Sequence, residues 1–332
     1  MRHTSVSAAL LAAAVIGGLG ISPSAAQAQT GPPAARTAWI KSCTGKNDAT
    51  RPCGHWQLVL RDGRAIVLRD ASATTTDRRG HKVAEPGALA LSGDGRTVVY
   101  ERARDHRLVA RAVAGGPVRE LPRSLVPKGY GIEDVSVYVS PSGDRVLVDC
   151  MDDADRVPSR VLTLATGKVV QIPGRDTPEG FSADGDEVLA LRHPTDNTTA
   201  VVAYRLDGTS VVRTPPQVVA NAADLALAAD GQTVAVVASG DPDRKKPPRL
   251  RTYDLRTGEL SGGVDLALKP DETPYHAQWG ADGKLAAYVQ TDEVGTTAVV
   301  RVLTVDTETG ATTRTDRFTI SKSRYAHVEA GE

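Results

Sequence analysis

Acidic side chains recur ahead of a series of glycine-terminated turns in this chain. Glu85, Glu133 with Asp134, Asp176 with Glu179, Asp224 and Glu272 each precede such a turn by a comparable stretch, and Tyr275 and His276 follow closely on the last of them. Carboxylates converging from several units would ring one opening. Their oxygens suit a hard cation such as calcium, or the charged heads of lysine and arginine. His276 invites a second chemistry, because Asp224 holds the same repeat position one unit earlier and could orient the imidazole as a general base. The same acids also have an ordinary use, since carboxylates at loop ends solvate the surface and deter pairing between strand edges of different chains.

Two loop runs of opposite sign stand apart from this series. Residues 152–155 read Asp-Asp-Ala-Asp, without the glycine and the spacing of an EF-type calcium loop. Arg244, Lys245 and Lys246, with Arg249 beyond a Pro-Pro pair, form a proline-stiffened basic loop that suits an acidic partner or a phosphate-bearing polymer, or simply a solvated surface. The chain has no G-x-S-x-G elbow, no H-E-x-x-H pair, no phosphate loop and no dinucleotide fingerprint. No catalytic residue, metal-ligand set or cofactor is therefore assigned. Calcium or another divalent cation at the acidic opening is the alternative, serving a hydrolase or lyase that acts on a lactone or polysaccharide.

The elements that must position these residues are short strands. From Trp39 onward, runs of Val, Thr, Leu and Ala alternate with Gly and Asp, and no helical period extends beyond two turns. One turn type recurs at 92–95, 140–143, 182–185, 228–231 and 280–283, with glycine last and Asp or Ser before it. Glycine supplies the positive φ of a tight hairpin, and the preceding side chain closes the turn. The steps between these glycines are 48, 42, 46 and 52 residues. Four short strands with their connections fill a unit of that size, the size of a propeller blade. A second turn closes the other hairpin of each unit, at Gly167, Gly208, Gly258 and Gly310, with a degenerate copy at 114–116.

The ends of the series predict how it closes. Residues 56–68 form a hairpin of third and fourth strands around Asp62 and Gly63, and 38–43 supply a second strand, but no first strand precedes them. Residues 325–330 are left over after the fifth full unit. Strand 325–330 is thus expected to complete the N-terminal blade, giving an all-β, six-bladed propeller of four-stranded blades with one blade shared between the two ends.

Residues 1–28 carry Arg2, an apolar stretch from Val6 to Ile21 and an Ala-Gln-Ala site, the pattern of a secretory signal peptide. Residues 29–36 read as a disordered leader and 37–332 as the propeller domain. Cleavage after Ala28 leaves a net charge of −1, which argues against a nucleic-acid partner held by a general basic field. No second long apolar run follows, so no membrane span is expected, and the product is read as a secreted monomer. In an exported chain Cys43 and Cys53 are expected to pair in a disulfide, and Cys150 to be a small buried hydrophobe.

The segments SADGDEVLAL (182–191) and SGDGRTVVYE (92–101) resemble the WD40-like repeat of TolB-type propellers, and YDLRTG (253–258) resembles the strand-turn of related blades. The resemblance spans residues 85–310 and departs at Gly280, where Ser is expected, and at Ser142, where Asp is expected. It implies the six-bladed fold and an extracytoplasmic binding or scaffolding role. Alternation of turns puts the short, stereotyped hairpins on one face and the long, dissimilar connections on the other. The variable face is the one expected to bind a protein or cell-envelope component.

Overall fold

Apolar residues on both sides of a strand leave it no solvated face, and the second strands of most units here are of that kind. The computed structural model describes residues 31–45, 49–151, 157–194, 198–291 and 297–332, with Pro32–Glu332 as one compact unit. The expected signal peptide, the acidic run 152–155 and Asn197 of a glycosylation sequon lie outside the described residues. The N-terminal strands are β1 (Ala35–Thr44), β2 (Thr50–Leu60) and β3 (Ala65–Leu68). Five complete antiparallel blades follow. They are β4 to β7 (Leu89–Leu91, Thr97–Arg102, Arg107–Ala112, Arg119–Glu120), β8 to β11 (Val135–Val139, Arg145–Cys150, Ser159–Thr163, Val169–Ile172), and β12 to β15 (Asp176–Phe181, Glu187–Arg192, Ala200–Arg205, Ser210–Arg213). The last two are β16 to β19 (Asp224–Leu227, Thr233–Ala238, Arg249–Asp254, Val264–Asp265) and β20 to β23 (His276–Trp279, Leu285–Thr291, Ala298–Val305, Thr312–Ile320).

The ring closes as expected. Strand β24 (Arg324–Glu329) pairs antiparallel with β1, from Thr37 opposite Glu329 to Lys41 opposite Arg324, and gives the sheet order β24-β1-β2-β3. The protein is thus a six-bladed β-propeller in which β24, β4, β8, β12, β16 and β20 are the inner strands around the channel. One boundary differs from expectation. β1 begins at Ala35, inside the segment read as a leader, because Arg36 is held by Asp316 at 2.9 Å and by the Leu60 carbonyl at 3.1 Å.

The core lies between blades. Trp56 and Leu58 of the first blade pack with Leu89 and Tyr100 of the second, and Ala90 and Val99 of the second pack with Val146, Val148 and Cys150 of the third. Trp39 packs on the sixth blade, against Tyr288 and Phe318. Second strands such as β5 and β17 are buried almost throughout, while the outer strands β7 and β15 are mostly exposed. Each sheet hides its faces on its neighbours. Cys43 and Cys53 form the expected disulfide across the β1 to β2 connection, with Cα atoms 5.9 Å apart, and Cys150 is buried in the core.

The repeated turn works through its first serine. Ser92 and Ser182 are fully buried, and each hydroxyl donates to the Asp of its turn, at 2.6 and 2.7 Å, while accepting a backbone N–H that begins the next strand. Where Ser142 replaces the usual Asp, Asp144 takes over and accepts from both Ser140 and Ser142, at 2.8 and 2.6 Å. Gly95 ends one such turn at φ +72°, and a Cβ there would press into the backbone of Ala35, whose N–H donates to the Gly95 carbonyl at 2.7 Å. Gly63, at φ +88°, opens on space. Gly63→Ala should cost about 1 kcal/mol, the penalty of left-handed backbone alone. Gly95→Ala should cost about 3 kcal/mol, because it also pushes against the strand that closes the ring. Urea unfolding of the two variants side by side measures the difference.

Candidate functional site

Inner strands run from the face of long connections to the face of hairpin turns, so their first residues stand at one mouth of the channel. Asp224 and His276 are the first residues of β16 and β20, and His276 lines the channel beside Asp224. The Asp224 carboxylate accepts the Ala277 N–H and lies 3.7 Å from His276 Nδ1, within reach of a charge interaction and too far for a hydrogen bond. Burial, reinforced by Glu179 and Glu332, pushes the Asp224 pKa up to about 7. Burial pushes His276 the other way, toward the neutral imidazole, against the pull of Glu332 and the Gly331 backbone. Its Nε2 is buried without a hydrogen-bond partner. A proton-poor imidazole beside a proton-rich acid is the reverse of a base held by its carboxylate.

Glu179 is open to channel water yet enclosed by protein, and loss of bulk solvent raises its pKa, with His193 opposing. The channel between Glu179, His276, Trp279 and Gly331 narrows to a void of about 40 Å³. That is the room of one or two water molecules, or of one ammonium head.

Behind this void sits an acid that lies outside the repeating series. Glu329, the last residue of β24, has no exposed side-chain surface, and neither carboxyl oxygen accepts a hydrogen bond, although His327 Nε2 lies 3.5 Å from its Oε1. Burial, then Glu332, pushes its pKa up to about 9, with the Tyr275 hydroxyl opposing. Tyr288 (about 12) and Tyr275 are likewise raised by burial first. Gln278 ties the cluster together, donating to the Tyr288 hydroxyl at 2.6 Å and to the Ala330 carbonyl at 3.2 Å. Once 325–330 is read as an inner strand, its residues belong to the channel, and Glu329 could have been found that way.

The other acids of the series are spent elsewhere. Asp176 is clamped by Arg192 at 2.5 and 2.9 Å and by the Tyr204 hydroxyl, all within its own blade. Glu272 pairs with Arg301 at 2.8 Å. Asp134 accepts the Gly131 N–H at 2.9 Å, Glu133 faces Asp77 and Arg78 of a neighbouring connection, and Glu85 is exposed. The acids therefore do not form one ring; the charge of Glu179 bears on Asp224 and the rest are dispersed. Among the described residues no group of three or more His, Cys, Asp or Glu side chains is placed to share a metal ion. The basic loop is also divided. Arg244, Lys245 and Lys246 are exposed, with Arg244 3.5 Å from Asp241, whereas Arg249 is bound to Asp265 at 2.8 Å and to the carbonyls of Gly262 and Gly263. On the turn face a hollow of about 570 Å³ is lined by Asp94, Asp184 and Asp282, all of which close hairpins. No helix among the described residues is long and apolar enough to cross a membrane.

Neither a protein-family model nor a curated protein matches the chain. Several solved structures are similar to it. TolB from Acinetobacter baumannii is 15% identical with a TM-score of 0.49, covering 90% of this chain and 67% of that one. A putative TolB from Agrobacterium tumefaciens is 12% identical with a TM-score of 0.47, covering 87% of this chain and 90% of that one. The β-propeller domain of the Trilobed protease from Pyrococcus furiosus is 11% identical with a TM-score of 0.46, covering 88% and 84%. The propeller assignment itself rests on the sheet order given above.

Glu329 and Asp224, the carboxyl groups whose values rise furthest, make stability depend on pH in a defined direction. Glu329 binds its proton more tightly folded than unfolded, so its contribution is complete below the ordinary value of 4.5 and is lost as pH rises toward 9. Asp224 acts likewise between 3.8 and about 7. The melting temperature should therefore fall from mild acid to alkali. Glu329→Gln should flatten the alkaline part of that profile and Asp224→Asn the acidic part. Parallel profiles for wild type and Glu329→Gln would show that Glu329 is not the titrating group.

Proposed function

We propose that the protein is a secreted binding module that takes a cationic group of a protein or cell-envelope partner, a lysine or arginine head, into the channel from the face of long connections. The observation that carries this reading is charge without compensation. The charges that bear most on Asp224 are the carboxylates Glu179 and Glu332, and the cation acting on Glu179 is only a histidine. Buried carboxylates that lack a cation hold their protons or recruit one from outside. The narrowness of the void selects a side-chain head rather than a length of backbone. The disulfide between Cys43 and Cys53 suits an oxidising compartment, in keeping with export.

A lysine-containing peptide, its acetyl-lysine counterpart and an acidic control, each followed by fluorescence anisotropy, test this. The lysine peptide should bind saturably and the other two should not. Glu179→Gln with Asp224→Asn should weaken binding about tenfold or more, a loss of about 1.4 kcal/mol. Neutralising Arg244, Lys245 and Lys246 should leave it unchanged. Equal binding of the acetylated peptide, or indifference to the channel substitutions, would refute the reading.

A further inference from the structure

A second site lies away from the channel, on the same face. The connection from β3 to β4, the short link from β5 to β6 and the connection from β7 to β8 enclose a pocket of about 300 Å³. Leu108, Leu121, Val126 and Ile132 give it an apolar lining. Arg78, Arg123 and His106 also line it. The acids that share it are already engaged. Asp105 holds Arg102 at 2.9 and 2.5 Å, and Asp77 accepts the backbone N–H groups of Arg79 and His81, each at 2.8 Å. Arg107 is bound to Glu120. Arg78 and Arg123 form no ion pair among the described residues, and Glu133 stands near Arg78 without bridging to it.

His106 is the unusual member. It occupies left-handed backbone at φ 52°, a conformation that costs a residue with a Cβ about 1 kcal/mol. From there its Nδ1 meets the Glu101 carboxylate at 2.5 Å, and Glu101 has no exposed surface at all. A buried carboxylate that fixes one ring nitrogen leaves the other, on the far edge of the ring, for the pocket. Strain at the backbone, a buried carboxylate and a ring directed outward occur together at one cavity, and such strain persists where a site needs the geometry.

We propose that this pocket binds a small organic anion with an apolar body, a carboxylate or phosphate monoester on a branched or aromatic group. Arg78 and Arg123 hold the head, the His106 ring, bound to Glu101 through Nδ1, donates to it from Nε2 as the imidazolium, and the aliphatic lining covers the body. Guanidinium groups suit both heads, since their planar forks match two oxygens at once. The site is independent of the channel.

Calorimetric titration of the whole chain with 4-methylpentanoate, phenyl phosphate and the neutral 4-methylpentanamide tests it. One or both anions should bind at one site, the tighter identifying the preferred head, and the amide should bind at least about tenfold more weakly. Arg78→Gln with Arg123→Gln should lose about tenfold or more. His106→Asn, which tolerates the same backbone conformation, should lose affinity severalfold and, by taking the partner from buried Glu101, should also lower the melting temperature. Glu179→Gln should change nothing here. Equal binding of amide and acid, retention of affinity in the double arginine variant, or no saturable heat up to about 10 mM ligand, the millimolar limit of weak binding, would overturn the proposal.

Discussion

Each sheet of this protein carries apolar side chains on both faces, so no blade can be stable until its neighbours cover it. That single constraint accounts for the ring. A row of such blades would leave two bare ends, and the pairing of β24 with β1 removes both by making the first blade from the two ends of the chain. It also accounts for where packing volume cannot be spared. Trp39 of the first blade belongs to the core of the sixth, so the closing seam is filled like any other boundary between blades. The Arg36 to Asp316 pair, 2.9 Å long, spans the same seam.

The architecture was legible because its signals are local. A serine hydroxyl that closes a turn, and a glycine that takes positive φ three residues on, need nothing distant to act, so the turns at 92–95 and 182–185 announce themselves. The channel was legible only in part, because the fate of an inner-strand acid is set by what stands across the sheet. Asp176 and Asp224 both begin an inner strand. Asp176 lies opposite Arg192, which takes it sideways, whereas Asp224 lies opposite Val237 and has no such partner. Register decides between a clamp and a site. Counting back from a turn glycine fixes the position along the strand but not its neighbour, which is why Asp224 is left without an arginine while Asp176 and Glu272 each have one.

Glu101 and His106 escaped for the opposite reason. Neither lies in the repeating series, and a link of four residues between β5 and β6 looks like any other loop. What marks it is a conformation, φ 52° at a residue with a Cβ, together with a partner buried on the preceding strand. Sequence carries no direct trace of either. Arg78 and Arg123 stand in separate long connections and His106 in the short link, so nothing short of the folded pocket groups them.

The two proposed sites would divide one face by sign, and burial acts on the groups of each differently. In the channel, desolvation keeps Glu329 and much of Asp224 protonated near neutrality, so the field there is weaker than the number of acids suggests. A cation arriving at Asp224 and Glu179 would favour their charged forms, and by linkage it would release protons as it binds. Its affinity would then rise with pH over the range in which Asp224 titrates. The same rise in pH removes the stabilising proton from Glu329 behind it, so the ligand's gain and the fold's loss draw on neighbouring carboxyl groups. A bound cation that stabilises the ionised channel offsets that loss, which gives an empty channel a reason to remain proton-rich and an occupied one a reason to remain folded.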